Sequence, residues 1–218
     1  MRASARLLDS SLARPRARFD LLVISDGRTR LIERVQRAVA SAEPGRVAVL
    51  LREPQLRTAE LVALARALRS VCDEAGALLL LSDRVDVALA VDADGVQLPE
   101  SSFPPDLART LLGRHAVIGA SRHDRVGLEA AAARGADYAT LSPVHQVDGK
   151  GEPLGLAGFA AQLAGASLPV YALGGVRHAD IPELLAAGAR GVAVMREVLS
   201  AEDPGASTSR LLAALAAR

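Results

Sequence analysis

One cysteine, Cys72, is all the chain contains, so it can form no internal disulfide, and a small disulfide-stapled secreted scaffold is excluded. Cys72 falls in an apolar helical stretch, where a buried thiol is expected rather than a reactive one. No Cys/His cluster has the spacing of a zinc or iron site. An excess of either charge is also missing. Lys and Arg total 26 against 25 for Asp and Glu, so no net field would hold DNA, RNA or an acidic membrane, and any phosphate must be bound locally. No apolar run approaches the roughly 20 residues that span a bilayer. A soluble cytoplasmic protein without nucleic-acid or membrane partners is expected. The glycine-rich loop of a dinucleotide-binding sheet is absent too: Ser25-Asp26-Gly27-Arg28 stands after the first apolar run, with no GxGxxG.

What the chain does have is length and repetition. Its 218 residues, half of them apolar, suffice for one large domain with a continuous core. Residues 1–18 hold several arginines and one acid, Asp9, without the apolar middle of a secretory signal. They are expected to be a basic extension ahead of a domain spanning 19–218. Within that domain one joint recurs: Ala90 to Leu98, Ala133 to Leu141 and Ala186 to Val194 each run from an Ala-rich helix end through a cap into a short apolar strand. Glu74 to Leu81 is a fourth. Gly supplies the left-handed cap that ends a helix and lets the next strand begin within a few residues.

Filling the gaps gives eight apolar runs: Phe19 to Ser25, Arg46 to Leu51, Ala77 to Leu81, Gly95 to Leu98, Ala116 to Ala120, Ala136 to Leu141, Pro169 to Leu173 and Gly191 to Met195. They are short, lack clean alternation and are separated by segments of helical period, as strands covered on both faces should be. Eight βα units predict a closed parallel βα barrel. Glu202 to Ser209 reads as a loop before a last helix.

Chemistry in such a barrel belongs to the loops after the strands. In order they offer Ser25 and Asp26; Arg52 and Glu53; Ser82, Asp83 and Arg84; Gln97, Glu100 and Ser102; Ser121 and His123; Ser142, His145 and Lys150; Gly174 and Gly175; Met195 and Arg196. The paired glycines let backbone N–H groups approach a ligand, and a helix opening at Met195 and Arg196 adds unpaired donors. Together they read as a phosphate site. His123, in the turn after Val117-Ile118-Gly119-Ala120-Ser121, is the candidate proton carrier, because an imidazole both takes and gives a proton near neutral pH. His145 lies in a longer polar loop. His115 and His178 are read as structural. Lys150 can close over an anion, and Arg52 can clamp a second one or pair with Glu53. Asp83 is the acid best placed for magnesium, provided that substrate phosphates supply further oxygens.

The ordered set Ile24-Ser-Asp26, Leu51-Arg-Glu53, Ser82-Asp-Arg84, Asp94-Gly-Val-Gln-Leu98, Ile118-Gly-Ala-Ser-Arg-His123, Ser142-Pro-Val144, Leu173-Gly-Gly-Val176 and Gly191-Val-Ala-Val-Met195 resembles the thiamine phosphate synthase and TenI superfamily over nearly all of residues 19–200. That resemblance implies a TIM-type barrel acting on thiazole phosphate compounds in thiamine biosynthesis. The synthase branch typically ends its second strand Gln-x-Arg-x-Lys, where Leu50 and Pro54 flank Arg52 here. Its third strand ends Asn-Asp-Arg, where Ser82 replaces the Asn. Ser102 replaces its second magnesium acid, and its Thr-x-Thr-Lys loop has become Val147-Asp148-Gly149-Lys150. The stretch Leu98 to Phe103 looks like the corresponding TenI loop.

These departures favour a TenI-like thiazole tautomerase needing no cofactor, with His123 as the proton shuttle. Arg52, Ser82, Ser121, Lys150, Gly174, Gly175, Met195 and Arg196 would bind the thiazole phosphate. The alternative is a divergent magnesium-dependent thiamine phosphate synthase, supported by Asp83, Lys150 and Glu100. A third reading is a non-catalytic thiazole-phosphate binder or partner of thiazole synthase, for which an exposed apolar face would speak. Self-association is left open.

Overall fold

The computed structural model describes residues 18–217. The basic extension therefore lies outside the described residues, apart from Arg18. The chain alternates strands and helices: β1 Leu21–Ile24, α1 Leu31–Val39, β2 Val47–Leu51, α2 Thr58–Ala75, β3 Leu78–Ser82, α3 Val85–Ala90, β4 Gly95–Leu98, α4 Pro105–Leu112, β5 Val117–Arg122 and α5 Arg125–Ala133. It continues with β6 Tyr138–Leu141, α6 Gly155–Leu163, β7 Val170–Leu173, a 3₁₀ turn at His178–Asp180, α7 Ile181–Ala186, β8 Gly191–Val194, α8 Arg196–Leu199 and α9 Pro204–Leu215. The eight strands are parallel and close in sequence order, with β1 paired to both β2 and β8. This is the predicted βα barrel.

Side-chain alternation sorts each strand between two cores. Leu21 and Val23, Val47 and Val49, Leu79 and Leu81, and Val192 and Val194 join the outer core under the helices. Phe19, Leu22, Ile24, Ala48, Leu50, Leu80, Tyr138, Tyr171 and Ala193 fill the barrel. At the base of the barrel Phe19 stacks on Tyr171 at 4.7 Å, and Tyr138 meets both edge-on. The barrel interior is thus a packed core.

The joints behave as expected from their glycines, with left-handed φ of 64° at Gly76, 79° at Gly135 and 98° at Gly188. Asp92 (φ 52°) takes that place before β4. At two joints an aspartate performs a second task. Asp94 accepts a hydrogen bond from Leu79 N at 2.8 Å and pairs with Arg69 at 2.6 Å. Asp137 does the same with Ile118 N and Arg109, at 2.8 and 2.6 Å. Each carboxylate satisfies a strand N–H and an arginine from the helix before it, tying helix to sheet. At the base Asp20 joins Arg46 and Arg190.

Three boundaries differ from the sequence expectation. β5 runs on to Arg122, because Ser121 and Arg122 pair in register with Thr140 and Leu141. The stretch 202–209 is not a loop: α9 begins at Pro204, with Asp203 Oδ1 accepting from Gly205 N and Ala206 N. An Asp-Pro pair at N-cap and N1 is a helix start, and the small polar residues that follow obscured it. The helix opening after Met195 is a single turn, since the chain must bend at 200–203 to enter α9. Cys72 is buried, and that burial pushes its thiol up to about 12. No helix among the described residues is long and apolar enough to cross a membrane.

Candidate active site at the C-terminal mouth

The strand ends of the barrel form a floor with two unlike halves. Ile24, Leu50, Leu173 and Met195, from β1, β2 and β7 and from the residue after β8, belong to or pack against the inner apolar cluster. Between β3 and β6 the corresponding positions are polar. Ser82 lies two residues beyond the inward-facing Leu80, and Gln97 Nε2 donates to Ser121 Oγ at 2.9 Å and to Thr140 Oγ1 at 3.2 Å. Gly119 makes room for this network, since a Cβ there would overlap Gln97 Oε1 and the Tyr138 ring. Gln97 is only 2% exposed, and its Oε1 has no hydrogen-bond partner. Sequence reading named Gln97 only as a loop residue. Its position two residues after Gly95, at the inward phase of β4, was the signal available.

Not every polar residue at a strand end faces this floor. Asp26 is turned into a pair with Arg34 at 2.6 Å. Burial pushes its carboxyl up, but the hydrogen bonds from Arg34 and Arg28 prevail and hold it below the ordinary carboxylate range. Ser25 Oγ accepts from Arg52 N at 2.8 Å, and Glu53 accepts from Gly27 N and Gln55 Nε2. These contacts splice the loop after β1 to the loop after β2. With Glu53 so engaged, the exposed Arg52 side chain makes no ion pair among the described residues. It lines a cleft of about 310 Å³ together with Leu51, Pro54, Ser82, Asp83 and Pro99.

Asp83 sits at the rim of that cleft in the left-handed conformation (φ 67°), fixed by its N–H to Gln97 O at 3.0 Å. Ser102 Oγ donates to its carboxylate. A larger groove of about 690 Å³ lies beyond this pair, on the outer face between α3 and α4. The exposed side chains of Leu89, Phe103, Leu107 and Leu111 lie on or beside it. It stands outside the barrel, whereas the smaller cleft is lined by residues at the ends of β2 and β3 and just after β4, so the smaller cleft is the candidate for chemistry.

His123 is exposed and its Nδ1 lies 2.7 Å from Ser142 O. A carbonyl only accepts, so Nδ1 carries the proton, and in the neutral ring the Nε2 lone pair is left for another partner. His115 and His178 are exposed and away from the floor: His115 Nε2 accepts from Arg114, while His178 N reaches Glu197 Oε1.

On the opposite side, the loop after β6 packs directly on Gly174 and Gly175. Val144 N donates to Leu173 O and His145 N to Gly174 O, both at 2.9 Å. A Cβ on Gly174 would stand 2.7 Å from Pro143 Cα, and one on Gly175 would stand 2.8 Å from His145 Cβ. Both glycines also have positive φ, 99° and 67°. They are therefore required for loop packing as well as being open to a ligand. Gly175→Ala should combine left-handed strain with a displaced His145, costing roughly 1–2 kcal/mol of stability. A denaturation midpoint equal to wild type would refute that assignment. Met195 and Arg196 border this mouth at α8, and Lys150 is exposed in the turn closed by its N–H to Val147 O.

Comparison with known proteins agrees with this architecture. A family model described as thiamine monophosphate synthase matches residues 21–198. A protein of Geobacter sulfurreducens is 44% identical over 207 residues, covering 92% of this chain and 96% of its own. The thiamine-phosphate synthase of Moorella thermoacetica is 37% identical over 183 residues, covering 83% and 86%. The solved structure of thiamine phosphate pyrophosphorylase from Pyrococcus furiosus superposes with a TM-score of 0.82 at 33% identity, over 92% of this chain and 97% of that one. A 3-hexulose-6-phosphate synthase at 20% identity and TM-score 0.70 shares the fold alone. A closed eight-stranded barrel, the order of its mouth residues and matches across nearly the whole chain lead to one conclusion: the chain belongs to the thiamine monophosphate synthase family.

Proposed function

We propose that this protein is a thiamine-biosynthetic enzyme that joins a pyrimidine diphosphate to a thiazole phosphate, releasing diphosphate. The observation that carries this reading is the divided floor. A polar arc, Ser82, Gln97, Ser121 and Thr140, suits the ring with several hydrogen-bonding groups, and its unpartnered Gln97 Oε1 lacks only a donor. An apolar arc suits the thiazole. Arg52 and Asp83 stand at the ends of β2 and β3, while Gly174, Gly175, Met195 and Arg196 stand at those of β7 and β8. Two separate anion-holding edges fit two phosphorylated substrates better than one. The names of the relatives point the same way.

Asp83 is the residue that would hold magnesium. Its donor set is small: one carboxylate with a serine hydroxyl bonded to it, and no group of three His, Cys, Asp or Glu side chains gathers among the described residues. Such a site fits magnesium only in the company of a diphosphate, whose oxygens complete the shell. Bound there, the metal would neutralise charge on the departing diphosphate. The protein's own work is to orient the two rings over the floor and to hold the leaving group with Arg52 and Lys150.

The free Nε2 of His123 favours a second reading, thiazole tautomerisation. There the imidazole would move a proton between ring carbon and exocyclic carbon, with no metal. Leu50, Ser82 and Ser102, where the synthase pattern has Gln, Asn and an acid, support it as well. Purified protein should be incubated separately with the substrate pair plus magnesium and with the carboxythiazole tautomer. Thiamine phosphate and diphosphate are expected from the first mixture, abolished by excess chelator. Aromatised thiazole from the second alone, unaffected by chelator, would replace the synthase reading with the tautomerase. In that case His123→Gln should lower the single-turnover rate by ~10²-fold or more without loss of binding. An unchanged rate would remove His123 as the shuttle.

A further inference from the structure

We propose that His145 is a positioning residue: paired with Asp180, it tethers the loop that carries Lys150, the chain's sole lysine, to the glycine mouth after β7. The loop between β6 and α6 is pinched at its base, where Leu154 N donates to Pro143 O and Gly155 N to Val144 O, each at 2.9 Å. His145 is the first side chain beyond that pinch, and Lys150 lies five residues on, in the exposed tip. Among the described residues, the one backbone hydrogen bond within the tip is the Lys150 N to Val147 O turn.

The imidazole crosses to the next loop. His145 Nε2 lies 3.0 Å from Asp180 Oδ2, off the line of a hydrogen bond but within ion-pair range. In the protonated ring, Nε2 at that distance attracts the carboxylate. The Asp180 carboxylate is fixed in turn by Arg177 N at 2.8 Å. His178 N, in the same 3₁₀ turn, reaches Glu197 of α8. The tether therefore runs from the lysine loop through the β7 loop to the α8 turn. The absent Cβ of Gly175 is what lets His145 stand there. Resting on the synthase reading, this makes His145 the residue that brings Lys150 over the bound diphosphate without touching it.

The single lysine provides a direct assay. A lysine-specific endoprotease has only the Lys150–Gly151 bond to cut, and its rate follows the open population of the loop. His145→Phe keeps the ring and removes its nitrogens, Asp180→Asn keeps an acceptor for Arg177 N and removes the charge, and His145→Gln retains a donor for Asp180. Cleavage should speed up roughly five- to tenfold in the Phe and Asn variants and stay near wild type in His145→Gln. Equal cleavage of all four proteins, each folded by circular dichroism, would overturn the tether. This arm needs no substrate, so it decides even if the protein proves not to be a synthase. In the synthase assay, KM for the pyrimidine diphosphate should rise by a similar factor in His145→Phe with kcat largely kept. An unchanged KM beside a fallen kcat would overturn the positioning role.

Discussion

Asp83→Asn should lower kcat/KM for condensation of the two phosphorylated substrates by roughly 10²-fold or more, with the fold intact. The size follows from removing a carboxylate at the rim of the cleft that makes no ion pair among the described residues and can face magnesium. The intact fold follows from the backbone. Asp83 has φ of 67°, a conformation that Asn tolerates as well as Asp, and its N–H bond to Gln97 O is unaffected by the side chain. Ser102 keeps an acceptor in the Asn carbonyl. Rates measured across a magnesium titration separate the outcomes. A variant that recovers at high magnesium has weakened metal binding, as proposed. Full activity at low magnesium would remove both Asp83 and the metal from the reaction.

A loss of comparable scale in stability is expected far from the mouth, at Asp137. Its carboxylate accepts from Ile118 N at 2.8 Å and from Arg109 at 2.6 Å, with 5% and 17% of the two side chains exposed. Asp137→Ala leaves a strand N–H without its acceptor and a part-buried guanidinium with the carbonyls of Ala116 and Gly135 in place of a carboxylate, which costs about 3 kcal/mol. Asp86→Ala is the control. It breaks an equally short contact to Arg84, but 63% of the Asp86 side chain is exposed, so the loss should stay below about 1 kcal/mol. Chemical denaturation of both variants checks the contrast, and equal losses would mean that burial is not what gives the Asp137 pair its weight.

Much of the architecture was legible because it is written in local periodicities. Short β-branched runs, glycine caps and Ala-rich helix ends repeat along the chain, and each depends on residues within a few positions. The one long misreading, at 202–209, came from weighting Ser, Thr and Gly as loop formers over the cap signal of Asp203-Pro204. The ordered motifs also identified the family, since strand ends in a closed barrel meet at one mouth whatever the loops contain.

Local pattern along the chain sufficed for the closure of eight βα units, for the residues at the strand ends, and for the gathering of Asp83, Arg52, His123 and the paired glycines on one face. What those residues do there depends on contacts across the folded barrel. The fold turned Asp26 into Arg34 and left Arg52 and Asp83 open, gathered Gln97, Ser121 and Thr140 into one network, and set His145 against Asp180. It also gave Gly174 and Gly175 a packing duty that no local signal announces. The physical reason is register. The direction of a side chain along a strand follows from a period of two, but which groups on neighbouring strands and loops come within 3 Å depends on the stagger of the whole barrel.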